Sequence, residues 1–132
     1  MILVDANVIL DIWNPNPIWD VWSIGQLQKL SILHELAINP IIYSEISVSF
    51  KTPFSLDKRL NDMQIGVLSI PLHAAFLAGK AHQQYRRRSG TKGKVLSDFL
   101  IGAHAAVLAC ALLTRDTRLY STYFPTVPLV AP

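Results

Sequence analysis

Cysteine is nearly absent: the 132-residue chain has one, Cys110. A lone thiol excludes an intramolecular disulfide framework and any multi-cysteine zinc or iron–sulfur site. Cys110 is expected to be an inert core residue of a protein in a reducing compartment. Charge is scarce too, at 16% of residues against about 25% in ordinary domains, while hydrophobic residues reach 51%. A disordered chain would invert that balance, so a packed fold is expected. Long apolar runs are missing: the longest, Phe99 to Leu113, contains His104 and falls short of the roughly 18 to 20 residues that cross a bilayer. The opening Met1-Ile-Leu-Val-Asp5 has no basic region and meets a carboxylate at once, unlike a secretory signal. A soluble, cytoplasmic protein with no membrane association is the expectation. The four histidines, His34, His73, His82 and His104, share no ligand spacing, which argues against a histidine metal site.

The length suits one compact domain, residues 1–132, with a single core. Ile2-Leu3-Val4 reads as a short buried strand that delivers Asp5 at its C-terminal end. After Asn14-Pro-Asn-Pro17, apolar residues at helical spacing predict a helix from Ile18 to Leu33. Leu36-Ala-Ile38 is a second strand, and Asn39-Pro40 opens a helix from Ile41 to Phe50 that carries Glu45. A short helical excursion is expected within 51–64, a third strand over Gly66–Ile70 and a helix over Leu72–Arg88 whose basic end complements its dipole. Ser89 to Gly93 reads as a loop. Ser97 suits the N-cap of a helix from Asp98 to about Ala109. Ala111–Leu113 and Val127–Val130 complete the strands, the last at a sheet edge. Strands alternating with helices predict an α/β fold with a mainly parallel sheet covered on both faces. Ligands of such folds bind beyond the carboxyl ends of the strands.

Asp5 and Asp116 follow predicted strands, Asp98 opens the helix that feeds the fourth strand, and Glu45 lies on the helix after the second. All four can converge on one end of the sheet. Gathered carboxylates repel one another, which raises pKa values or requires a cation. Oxygen ligands of this kind suit Mg2+ or Mn2+. Taken singly, Asp5 and Asp116 are also ordinary turn residues, Asp98 an ordinary first-turn residue and Glu45 a solvent-facing one. Their apolar surroundings, in a chain with little charge, favour the joint reading.

Val4-Asp5-Ala-Asn7-Val-Ile-Leu-Asp11, Asn39-Pro-Ile-Ile-Tyr-Ser-Glu45-Ile, Ser97-Asp98-Phe-Leu-Ile-Gly-Ala-His-Ala105 and Leu113-Thr114-Arg-Asp116 resemble, in order and spacing, the four motif segments of the PIN domain, above all those of VapC toxins from bacterial toxin–antitoxin pairs. The resemblance implies a three-layer α/β/α sandwich and a Mg2+- or Mn2+-dependent endoribonuclease that hydrolyses RNA phosphodiester bonds. Asp5, Glu45, Asp98 and Asp116 match the family's acidic positions, and Asn7 and Thr114 its supporting polar ones. Asp5, Asp98 and Asp116 are then expected at the metal, with Glu45 orienting the attacking water or helping to hold a second ion. A small antitoxin protein is the implied partner and a homodimer the expected assembly. Trp13, Trp19 and Trp22 lie outside the family pattern.

From Arg86 to Arg118 the chain holds seven basic residues against two acidic ones. Arg86, Arg87, Arg88, Lys92, Lys94 and Arg115 flank two of the acidic positions, the layout that draws a phosphate backbone toward a negative site. Arg86 to Arg88 equally suit a solvated helix end. The aromatic side chains read as core or interface rather than base-stacking platforms. Trp19 and Trp22, three apart, present one face to an antitoxin or a second copy. His104 falls on a different helix face from Asp98 and reads as a core or interface residue.

Two other classes fit less well. A phosphatase of the haloacid dehalogenase type needs a second aspartate where Asn7 stands, and a dinucleotide-binding fold needs a Gly-rich turn after the first strand. The serious alternative is a catalytically silent PIN-like module that binds nucleic acid or a protein partner; a structural scaffold subunit would leave the acidic residues unexplained.

Overall fold

The computed structural model describes residues 1–89 and 95–132. Five strands among these form one parallel sheet in the order β3-β2-β1-β4-β5: β1 Ile2–Val4, β2 Leu36–Ile38, β3 Ile65–Val67, β4 Ala111–Leu113 and β5 Leu129–Val130. The central strand is hydrogen-bonded on both edges, with Leu3 level with Ala37 on one side and Leu112 on the other. Side chains on both faces of β1, β2 and the end of β4 are buried. Continuous apolar triplets, rather than alternating ones, are what a sheet covered on both faces requires.

Seven helices accompany the sheet among the described residues: α1 Ala6–Trp13, α2 Asp20–Leu33, α3 Pro40–Ile46, α4 Pro53–Asp62, α5 Leu72–Ser89, α6 Leu96–Leu108 and α7 Arg118–Tyr123. The result is an α/β/α sandwich whose core includes the fully buried Leu3, Ile9, Ile38, Ile42, Phe99, Ile101, Leu112 and Leu113. Asn39 caps α3, its Oδ1 accepting from the Ile42 N–H at 2.9 Å, and Pro40 fits the first turn, where a missing N–H costs nothing. Thr52 and Pro53 repeat the device at α4. Gly102 permits a close approach: a Cβ there would run into the Phe124 ring.

Several boundaries differ from the sequence reading. α1 is not foreseen in it, because eight residues, most of them apolar, leave no polar face for a periodicity to reveal. The six-residue α7 is too short to show one. The second helix begins at Asp20, with Ile18 still outside it, and α3 stops at Ile46, passing into a 3-10 turn over Ser47–Ser49. Ser97 does not cap α6: the helix starts at Leu96 from an extended Val95, whose carbonyl accepts from the Asp98 N–H at 3.1 Å. Asp98 still falls in the first turn. Most of the expected loop after Ser89 lies outside the described residues.

Candidate metal centre

The sheet order reverses between β1 and β4, which makes their carboxyl ends the switch point where open α/β sheets open a crevice. Asp5 follows β1 and Thr114 follows β4, and the two ends are tied by the Asp5 N–H donating to the Leu113 carbonyl at 2.9 Å. Asp5 is also the N-cap of α1, so its Oδ1 accepts from the Ala6 N–H at 2.7 Å. Its Oδ2 receives three donors: Thr114 Oγ1 at 2.8 Å, Tyr120 Oη at 3.2 Å and Asn7 Nδ2 at 3.3 Å. Asn7 ties the cluster to β4's exit by accepting from the Arg115 N–H at 3.2 Å, and Thr114 Oγ1 accepts from the Asp116 N–H at 3.0 Å.

All of these donors are neutral. Burial pushes the Asp5 carboxyl above its ordinary range despite the hydrogen bonds, and the negative charge of Asp98 adds to the rise. Glu45, near the end of α3, is half-buried and pushed up to about 7, by desolvation first and then by Asp5 and Asp98. Its Oε1 is buried without a hydrogen-bond partner. Tyr120, raised chiefly by burial, also feels Asp5, Asp98 and Asp116. Asp5, Glu45 and Asp98 therefore share one electrostatic environment, and Asp116 borders it through Tyr120.

Among the described residues, no three His, Cys, Asp or Glu side chains stand close enough to hold an ion between them. Mg2+ does not need such a cage: it takes one or two carboxylates and keeps several waters. An orphaned carboxylate oxygen beside two acidic neighbours fits a hard dication on chemical grounds.

The basic positions divide. Arg86, Arg87 and Arg88 are exposed on the last turn of α5, and Lys92 and Lys94 lie outside the described residues. Arg115 is engaged: its Nε and Nη2 grip Asp11 at 2.7 and 2.9 Å, and its guanidinium lies 5.3 Å from the Trp19 ring centroid. Ser23 Oγ completes Asp11 at 2.7 Å. Trp19 meets Trp22 edge to face at 6.3 Å, with both rings half-buried.

A PIN-domain family model matches residues 2–125. The chain belongs to the PIN-domain family. No curated protein sequence matches this PIN domain significantly. Solved structures similar to it include VapBC2 from Rickettsia felis bound to a promoter DNA fragment, at 18% identity and TM-score 0.71 over 99% of this chain and 98% of that one. FitAcB from Neisseria gonorrhoeae superposes at 22% identity and TM-score 0.69 over 98% and 96%. A toxin–antitoxin complex from Klebsiella pneumoniae does so at 20% and 0.69 over 98% and 96%. These likenesses establish the shared fold.

Three interior contacts of the PIN domain escaped the sequence reading. Asp11, within Val8-Ile-Leu-Asp-Ile, signals a buried charge in need of a partner, but that partner is 104 positions away. Tyr120 reads as a core aromatic, and its hydroxyl contact depends on the unforeseen α7. His104 is fully buried and joined to Asn39.

Proposed function

We propose that this PIN domain, a single domain over 1–132, is a divalent-metal-dependent endoribonuclease and the toxin of a toxin–antitoxin pair. The observation that carries the reading is Glu45: a buried carboxylate oxygen with no partner, whose electrostatic neighbours are themselves carboxylates. Left alone, that arrangement opposes ionisation; a dication would turn it into a binding site. Asp5, Asp98 and Asp116 would hold Mg2+ or Mn2+, directly or through water. When bound, the ion supplies a lowered pKa for water and stabilisation of charge on the phosphate.

The remaining work falls to the chain's own groups. Thr114, Tyr120, Ala6 and Asn7 hold the Asp5 carboxylate in one orientation. Glu45 Oε1 accepts a hydrogen bond from the attacking water and aligns it, or helps to hold a second ion. The exposed Arg86, Arg87 and Arg88, with Lys92 and Lys94, attract the phosphate backbone. Arg115 joins them only through the donors that Asp11 leaves over.

RNA as substrate rests on the resemblance of the four motif segments. A small antitoxin follows from the same resemblance and is supported by the toxin–antitoxin complexes among the similar structures; a homodimeric assembly rests on the resemblance alone. Residence in the cytoplasm accords with the absence, among the described residues, of any helix long and apolar enough to cross a membrane. The test is cleavage of a single-stranded oligoribonucleotide in Mg2+ by the wild type and by folded Asp5→Asn and Asp98→Asn variants. Loss of at least about a hundredfold is expected, since even residues that merely support metal ligands cost 10–100-fold. Undiminished cleavage by the variants sinks the reading, and a wild type that binds the oligonucleotide without cutting it favours a silent binding module.

A further inference from the structure

Asn39 and His104 are fully buried and joined, 65 positions apart in sequence, by a 3.1 Å contact between Asn39 Nδ2 and His104 Nδ1. The roles of the two atoms are forced. Asn39 Oδ1 already accepts from the Ile42 N–H, which fixes the amide and leaves Nδ2 as the donor. His104 Nδ1 therefore accepts, and a neutral ring carries its proton on Nε2. That Nε2 is buried with no partner. Burial lowers the His104 pKa as well, in keeping with a neutral ring.

The position of this bond matters more than its chemistry. Asn39 precedes α3 and Glu45 lies six residues further along; Asp98 sits in the first turn of α6 and His104 lies six residues further along. α3 packs on α6, tied by the Asn39–His104 bond, and Glu45, further along α3, feels the charge of Asp98. Six residues of helix rise about 9 Å, so each carboxylate stands a similar distance along its own chain from its member of the buried pair. The like charges of Glu45 and Asp98 push the helices apart, and a buried polar bond about 1.7 turns back resists that separation.

We propose that Asn39 and His104 are positioning residues: their bond locks the register of α3 against α6 and so sets the spacing of Glu45 and Asp98 at the candidate metal centre. The functional side of this inference rests on the reading of that centre as a metal site; the structural side does not.

Asn39→Ser is the cleaner test, because a serine hydroxyl keeps the α3 cap and deletes only the donor to His104. His104→Leu deletes the acceptor. His104→Asn is the conservative rescue, since its Oδ1 can sit where Nδ1 was. Mn2+ affinity of the folded full-length protein, measured by calorimetry, should weaken about tenfold in Asn39→Ser and His104→Leu and recover in His104→Asn. Nitrogen NMR of the metal-free wild type should find the Nε2–H tautomer, and a crystal structure of metal-free Asn39→Ser should show α3 displaced along α6. A positively charged His104 or the Nδ1–H tautomer overturns the proposal, as does an unchanged α3–α6 register or wild-type Mn2+ affinity in Asn39→Ser. A wild type that takes up no Mn2+ defeats the metal-site reading instead, and the register and tautomer then decide the inference.

Discussion

Asp5 and Asp11 begin and nearly end the same short helical stretch, and both are buried, at 6% and 4% exposure. Asp11 is answered in full. A bidentate arginine and a serine hydroxyl occupy its oxygens, the arrangement a buried carboxylate needs to remain charged at little cost. Asp5 receives four hydrogen bonds to Asp11's three but no cation, and its charged neighbours, Glu45 and Asp98, are negative. Burial and hydrogen bonding therefore do not distinguish the two aspartates. The sign of the surrounding charge does. Asp11 joins α1, α2 and the end of β4, while Asp5 belongs to a cluster that wants a positive charge from outside.

The largest expected effect separates the two by activity. Asp5→Asn should lower Mg2+-dependent RNA cleavage by at least about a hundredfold, yet shift unfolding by no more than about 1 kcal/mol, because a neutral amide loses one accepted hydrogen bond and relieves a buried charge. Urea unfolding beside a cleavage assay measures both. A large stability loss in Asp5→Asn would make Asp5 structural after all.

Asp11→Asn should behave in reverse. It leaves Arg115 without its carboxylate, and breaking a buried pair by removing one partner costs about 3 to 5 kcal/mol; the lower end applies because a quarter of the Arg115 side chain is exposed. Urea unfolding should show that loss, and the fraction still folded should cleave as the wild type does. This pair also marks where the sequence stops being informative. Strand triplets and the proline-marked start of α3 are local patterns, readable because a strand end or a helix start is written in a few adjacent residues. The Asp11–Arg115 fork spans 104 positions and the Tyr120–Asp5 contact 115, and only the closed fold sets such distances. Arg115 thus read as a substrate contact on charge alone, whereas its guanidinium is largely spoken for by Asp11.

Stability against pH tests the uncompensated side of the comparison. Glu45 ionises at about 7 in the fold against 4.5 when unperturbed, and Asp5 is raised as well. A raised carboxyl favours the folded state in its protonated form, so this contribution is complete below pH 4.5 and is lost as pH climbs to 7. The Tm of metal-free protein, followed by differential scanning fluorimetry, should fall across that window, and Mg2+ should restore it above pH 7 while doing little at pH 4.5. Glu45→Gln should flatten the slope. A metal-free Tm that rises over the same interval would mean the carboxylates are already compensated.

The smallest effect concerns how firmly Asp5 is held. Tyr120 Oη is the longer-range helper of an oxygen that Thr114 serves at 2.8 Å, and phenylalanine fills nearly the same volume. Tyr120→Phe removes one donor from an acceptor that keeps two others, so no buried group is left unsatisfied and the cost should be about 1 kcal/mol. Thr114→Val should cost more, because the threonine hydroxyl also accepts from Asn7 and from the Asp116 N–H, both of which would lose a partner. Urea unfolding of the two variants ranks them. Should Tyr120→Phe instead prove as damaging as Asp11→Asn, a neutral hydroxyl would be serving Asp5 as fully as an arginine serves Asp11, and the contrast between a balanced and an unbalanced aspartate would disappear.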